Sequence, residues 1–210
     1  MKYFSLIIIF LLFSCEEKKD VLLPKSNVTI VKDVQDHSPI YIFFKTVGKD
    51  TIAEVNRKSS IISTNWILNI DKRLPLKLVI PEVMKLQKKK RDDSAHKNEN
   101  AENYYSYADS IGKNLAFLPF TEVYYAIGKP QSKFYTISFK KGSYLVSLNG
   151  FQIKKTEFVK EFYAKKYEVT PNVIFLFDKN MSYQEYIQNK ILIGKFKGFN
   201  VDELPKEFIF

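Results

Sequence analysis

Two aspartates stand where a sheet would present groups to a ligand. Asp71 follows the run Trp66-Ile67-Leu68-Asn69-Ile70, and Asp178 follows Val173-Ile174-Phe175-Leu176-Phe177. Each run reads as a buried strand, and open α/β sheets bind ligands beyond the carboxyl ends of their strands. A short acid at that place also suits local capping of the following turn. Both readings extend to Tyr183, at the start of the helix expected after Asp178. Asp92-Asp93 and Asp202-Glu203 are further paired carboxylates, which also fit a solvated surface. Two acids at a suitable separation could hydrolyse a glycosidic bond. Tyr104, Tyr105, Tyr107, Tyr124 and Tyr125 form an aromatic cluster that suits either a sugar platform or core packing. Two histidines, His37 and His96, and one cysteine leave no material for a histidine cluster, a multi-cysteine zinc site or an internal disulfide. There is no Gly-rich phosphate loop, Cys-x-x-Cys, His-Glu-x-x-His or Gly-x-Ser-x-Gly. No catalytic residue, cofactor or metal is expected, and the chain does not read as an enzyme.

The single cysteine has a different chemistry. Lys2 precedes an apolar stretch, Tyr3 to Phe13, and then come Ser14 and Cys15. That is the order of a signal peptide, and the stretch is too short to span a bilayer. Leu12-Phe13-Ser14-Cys15 resembles a bacterial lipobox, with Leu at −3 and a small residue before the cysteine; Phe13 at −2 departs from the usual small residue. Residues 1–14 are expected to be removed and Cys15 to carry acyl chains, palmitate-like and more than one, which anchor stably. Glu16 follows the cysteine, which does not meet the inner-membrane retention rule of enteric lipoproteins. The expected location is therefore the bacterial envelope, at the outer membrane or cell surface. Formal net charge is +10, or +9 once Lys2 is lost with the leader. On a membrane that balance favours anionic lipid or acidic wall polymer, and export removes nucleic acid as a partner.

The remaining residues must build a scaffold. Residues 15–27 read as a polar tether. The region 28–90 reads as α+β: a hairpin from Ile40–Lys45 and Thr51–Val55, a strand at 66–70, and a helix over 75–90 that Pro81 would kink or delay. Residues 91–103 read as a polar linker, with Lys88 to Arg91 as a solvated helix end or a basic patch. Residues 104–130 read as an aromatic segment, helical at first and then connecting. The last part, 131–210, is a sequence of strands at 134–139 and 144–148, a tight turn at Asn149-Gly150, a helix from Thr156 to Tyr167, a strand at 173–177, a helix at 183–197 capped by Gly198, and a closing strand near 207–210. The expected class is α+β, a two-layer sheet with helices on one face, ordered β-β-α-β-α-β in the C-terminal domain.

That ordered set, with Lys141-Gly142-Ser143-Tyr144, Asn149-Gly150, Asp178-Lys179, Ser182-Tyr183 and Gly198-Phe199, resembles the periplasmic domain of the ExbD/TolR biopolymer-transport family. The resemblance covers about 75 residues. It implies a non-catalytic binding domain that contacts an envelope protein, itself or the cell wall, as an accessory of a transport system. The family's membrane helix with its intramembrane Asp is absent from residues 3–13, so proton coupling does not carry over. Asn65–Lys72 also aligns without gaps against residues 172–179, each preceded by an aromatic hairpin and followed by a helix. Residues 28–90 thus read either as a degenerate repeat of the C-terminal domain or as a second generic strand-loop-helix unit. The alternative function is an envelope protein that binds or cleaves glycan through carboxylates.

Overall fold

The structure, a computed structural model, describes residues 19–93, 95, 98–130, 135–164, 173–194 and 206–210. The leader at 1–14, Cys15, His96, Asp202-Glu203 and Gly198-Phe199 lie outside them. The described residues form a mixed α/β molecule, mostly strands, with two mixed sheets and three helices.

The first sheet is built from β1 (Lys25–Ser26), β2 (His37–Val47), β3 (Asp50–Asn56), β4 (Asn65–Ile70), β5 (Asn103–Asp109) and β6 (Asn114–Pro119), with α1 (Leu76–Asp92) crossing from β4 to β5. The second contains β7 (Tyr124–Ile127), β8 (Tyr135–Phe139), β9 (Leu145–Leu148), β10 (Phe151–Lys154), β11 (Val173–Phe177) and β12 (Lys206–Ile209), with α2 (Phe158–Ala164) and α3 (Tyr183–Ile193). Strand order is β1-β5-β4-β2-β3 in the first sheet, with β6 beside β5, and β7-β12-β11-β8-β9-β10 in the second. Five positions correspond, β1-β5-β4-β2-β3 with β7-β12-β11-β8-β9, while β6 and β10 have no counterpart. In each, two parallel pairings join three central strands, and an antiparallel hairpin closes one side. In the C-terminal part residues 151–154 pair with β9 as an additional strand, so the observed order there is β-β-β-α-β-α-β.

Turn chemistry explains the hairpins. Gly48 takes φ +61 between β2 and β3, and Asn149 and Gly150 both take positive φ, as a two-residue turn between antiparallel strands demands. α1 runs through Pro81 without a break. Pro81 is the sixth residue of the helix, so its missing amide removes only the single bond to Lys77 O.

The N-termini of α1 and α3 cap each other. Leu76 N donates to Met181 O (2.9 Å) and Tyr183 N to Leu74 O (2.8 Å); Lys77 N donates to Lys179 O (2.8 Å) and Gln184 N to Lys72 O (3.1 Å). Every bond has a mate shifted by 107 positions, the register that aligns the two sequence segments. First-turn amides have no partner inside their own helix, so each half supplies carbonyls that the other half's helix requires. α3 adds a capping box: Ser182 Oγ accepts from Glu185 N and Glu185 Oε2 accepts from Ser182 N. Ser182→Ala should lower stability by about 1 kcal/mol, read as a lower urea midpoint with an unchanged m-value.

One core spans both sheets. Tyr186 of α3 meets Phe177 of the second sheet edge-on (5.0 Å) and Tyr105 of the first (6.3 Å). Trp66, Ile40, Ile42, Leu68 and Ile70 turn inward from the first sheet, and Ile137, Phe139 and Phe177 from the second.

Three expectations are corrected. Residues 104–130 form β5, β6 and β7 and no helix. β5 buries alternate aromatic positions, Tyr105 and Tyr107, and β-rich composition outweighs the weak helical spacing. The polar tether does not extend to residue 27. Leu22 N donates to Asp71 Oδ2, Lys72 N to Leu22 O, Ala108 N to Pro24 O, and Lys25 exchanges two hydrogen bonds with the Gln184 side chain. The polar linker likewise ends early: Asn98 Nδ2 bonds Ser63 O, and β5 begins at Asn103.

Candidate functional site

The loops after β4 and β11 place Asp71 and Asp178 beside the paired helix starts. Asp71 is buried. Its Oδ1 accepts from Arg73 N (3.0 Å) and Nε (2.9 Å), and its Oδ2 from Arg73 Nη2 (2.7 Å) and Leu22 N (3.3 Å). Burial opposes ionisation, but the Arg73 guanidinium and the two amides outweigh it, and the carboxyl is held below its usual range. Asp178 Oδ1 accepts from Asn180 N (2.8 Å) and Oδ2 from Lys141 N (3.3 Å). Both acids therefore tie their own loops together, and Asp71 also fastens the N-terminal segment. Tyr183 lies wholly in the core, edge-on to Tyr105, and its hydroxyl has no partner among the described residues.

The tyrosine cluster separates. Tyr105, Tyr107 and Tyr125 are buried. Tyr104 bonds Glu102 at the surface, and Tyr124 lies under the Arg91 guanidinium at 3.9 Å. Inside, a polar chain links the two sheets through α3. Tyr105 Oη meets Tyr125 Oη (2.7 Å), Tyr125 meets Tyr186 (3.0 Å), and Tyr186 donates to Glu207 Oε2 (2.6 Å). Lys190 closes the chain on Glu207 Oε1. A carboxylate only accepts, so the hydroxyl protons run in one sense from Tyr105 toward Glu207. Burial raises the phenol pKa of all three tyrosines well above the ordinary value.

The basic run at 88–91 does not form a patch. Lys88 pairs with Asp92 at the surface (3.0 Å), while Arg91 donates to Thr121 O (2.9 Å). Lys90 is buried, and its ammonium donates to Thr64 O, Glu102 O and Asn103 Oδ1 at 2.9–3.2 Å, with the Trp66 ring 5.0 Å away. Nothing in the local sequence distinguishes this lysine from its neighbours. Only its place on the inner stripe of α1, four residues after Leu86, marks it.

What remains open is the outer face of the first sheet. Two grooves, of about 400 and 530 Å³, share Tyr41 and Asn69 there. The smaller runs along Lys19, Val21 and Leu23 over Phe43; the larger passes His37, Asn114 and Phe117. A cleft of about 200 Å³ lies beside Lys90, Arg91 and Tyr124. Among the described residues no group of three His, Cys, Asp or Glu side chains could hold a metal, and no helix is long and apolar enough to cross a membrane.

Comparison of the chain with models of protein families, with curated proteins and with solved structures finds no match. The functional reading therefore rests on the residues themselves. In them Asp71, Asp178, Glu185 and Glu207 are committed to loop, cap and core bonds, whereas apolar groups stand exposed at several edges. On the second sheet Tyr144 and Phe151, flanking and opening the β9–β10 hairpin, are 71% and 69% exposed.

Proposed function

We propose that the chain is a non-catalytic envelope lipoprotein, anchored through Cys15, whose C-terminal ExbD/TolR-like unit contacts a protein partner at the β9–β10 hairpin. The observation that carries this reading is the exposure of Tyr144 and Phe151 on that hairpin. Large aromatic side chains exposed at a sheet rim are typical anchors of protein contacts. The finer topology, a β-β-α-β-α-β unit with helices on one sheet face to which β10 adds a strand, belongs to the same reading, with residues 28–90 as its second copy. The matched strand orders and the mates at 107 positions support that duplication.

The test is capture of the full-length lipidated protein from its native membranes, with mass spectrometry of what stays bound. Wild type should retain a component of an energised envelope transport machine, and Tyr144→Ser with Phe151→Ser should lose it at least several-fold. Both side chains are exposed, so the double variant keeps its fold. Equal capture by both proteins would sink the reading.

A further inference from the structure

We infer that the outer face of the β2–β3 hairpin is a membrane-contact surface that rests in the headgroup layer of the bilayer holding Cys15. The inference depends on the lipid anchor proposed above. Its starting point is a length. Lys19 is already seated on the fold: its ammonium donates to Glu54 Oε1 (2.6 Å) and lies 5.9 Å from the Phe43 ring centroid. From Leu22 onward the backbone is bonded to Asp71, Lys72 and Ala108. Only Glu16, Glu17 and Lys18 separate Cys15 from Lys19. Fully extended, that stretch reaches about 14 Å. An acylated cysteine sits at the base of the headgroup layer, which is itself roughly 5–8 Å deep. The ground around Lys19 is thus held no farther than about 6–9 Å beyond the outer edge of the headgroup layer.

The side chains on that ground suit it. Strand periodicity and register put Tyr41, Phe43, Lys45 and Val47 on the outer face opposite Asn56, Glu54, Ile52 and Asp50. The inner face carries Ile42, Phe44, Ala53 and Val55, which meet the core. A strand apolar on both faces normally lies between two layers, yet here Tyr41, Val47 and Ile52 are exposed. The charges flanking them are Lys45 and Lys49, with Asp50 at the turn and Asp20 at the groove. Glu54 is held between Lys19 and Lys45 (2.6 and 3.5 Å). Tyrosine and lysine both present an apolar body with a polar tip, the form favoured at a membrane interface. The 400 Å³ groove beside Lys19 opens on this face and gives a headgroup room between Tyr41 and Asn69.

The test places single tryptophans in the full-length lipidated protein, reconstituted into vesicles with or without nitroxide-labelled phosphatidylcholine headgroups. The native Trp66 is buried and supplies a constant background. Val47→Trp and Ile52→Trp emission should fall roughly twofold in labelled vesicles, as for a side chain at the interface, and Tyr144→Trp on the second sheet should not change. Val47→Trp and Ile52→Trp quenched no more than Tyr144→Trp would overturn the proposal. So would unquenched emission that shifts blue as protein density in the vesicle rises, which would assign the face to a second copy. The mass of the peptide holding Cys15 keeps the two readings apart. Quenching with an unacylated Cys15 upholds the surface and removes the anchor; an acylated Cys15 without quenching overturns the surface alone.

Discussion

Lys190→Met should be the most damaging conservative change in the molecule, with a loss of about 3–5 kcal/mol, the range for removing one partner of a buried ion pair. Glu207 is 1% exposed, and Lys190 is its only cation among the described residues. Without the ammonium the carboxylate keeps only the Tyr186 hydroxyl. The effect propagates because Glu207 sits on β12 and Lys190 on α3, so the pair joins the closing strand to the helix that both sheets share. The polarised chain Tyr105–Tyr125–Tyr186 also ends on that carboxylate. Adding Glu207→Gln to Lys190→Met removes the uncompensated charge and should recover at least half of the loss. Urea unfolding of the three proteins decides it. A single variant within about 1 kcal/mol of wild type, the range of surface pairs, would mean that solvent reaches Glu207 and that the interior chain is not dry.

Local patterns were legible in this sequence, and pairings between distant segments were not. The β2–β3 hairpin, α1, the Asn149-Gly150 turn and α3 each announce themselves within about ten residues through alternation, helical spacing or turn chemistry. β1 has only two residues, and its strand character comes from β5, eighty positions later. β5 was hidden because Tyr104, Tyr105, Tyr107 and Ala108 satisfy a weak helical spacing as well as alternation. Asp71 and Asp178 were legible as strand-end acids, and the two-way reading of each was the limit of what sequence could supply. Its resolution depends on Arg73, Leu22 and Lys141, which only the fold brings within reach. The exposed face of β2 illustrates the same limit from the other side. The run Ile40 to Phe44 looks buried on both faces because the residues are apolar on both faces. Nothing in a sequence says whether the second cover belongs to the chain or to its surroundings.

Lys90 supplies a pH-dependent signature. Desolvation lowers its pKa from the ordinary 10.5 to about 8. The three acceptors around it are two carbonyls and an amide, so the charge is hydrogen-bonded but not neutralised. The folded-state pKa lies below the unfolded value, so between about 8 and 10.5 the unfolded chain holds the extra proton. Stability then rises with pH through that window. Between about pH 7 and pH 9.5 the lysine should contribute a gain of about 2 kcal/mol. Lys155, also lowered by burial, adds in the same sense, and the buried tyrosines, whose pKa values are raised, act in the opposite sense and only nearer pH 10. The difference between wild type and Lys90→Met cancels those shared contributions. Measured by urea unfolding at both pH values, that difference should change by about 2 kcal/mol in favour of wild type at the higher pH. A difference independent of pH would mean that the carbonyl cage and the Trp66 face stabilise the ammonium as fully as water does. The buried lysine would then be a structural cation that stays charged, with no shifted titration in this range.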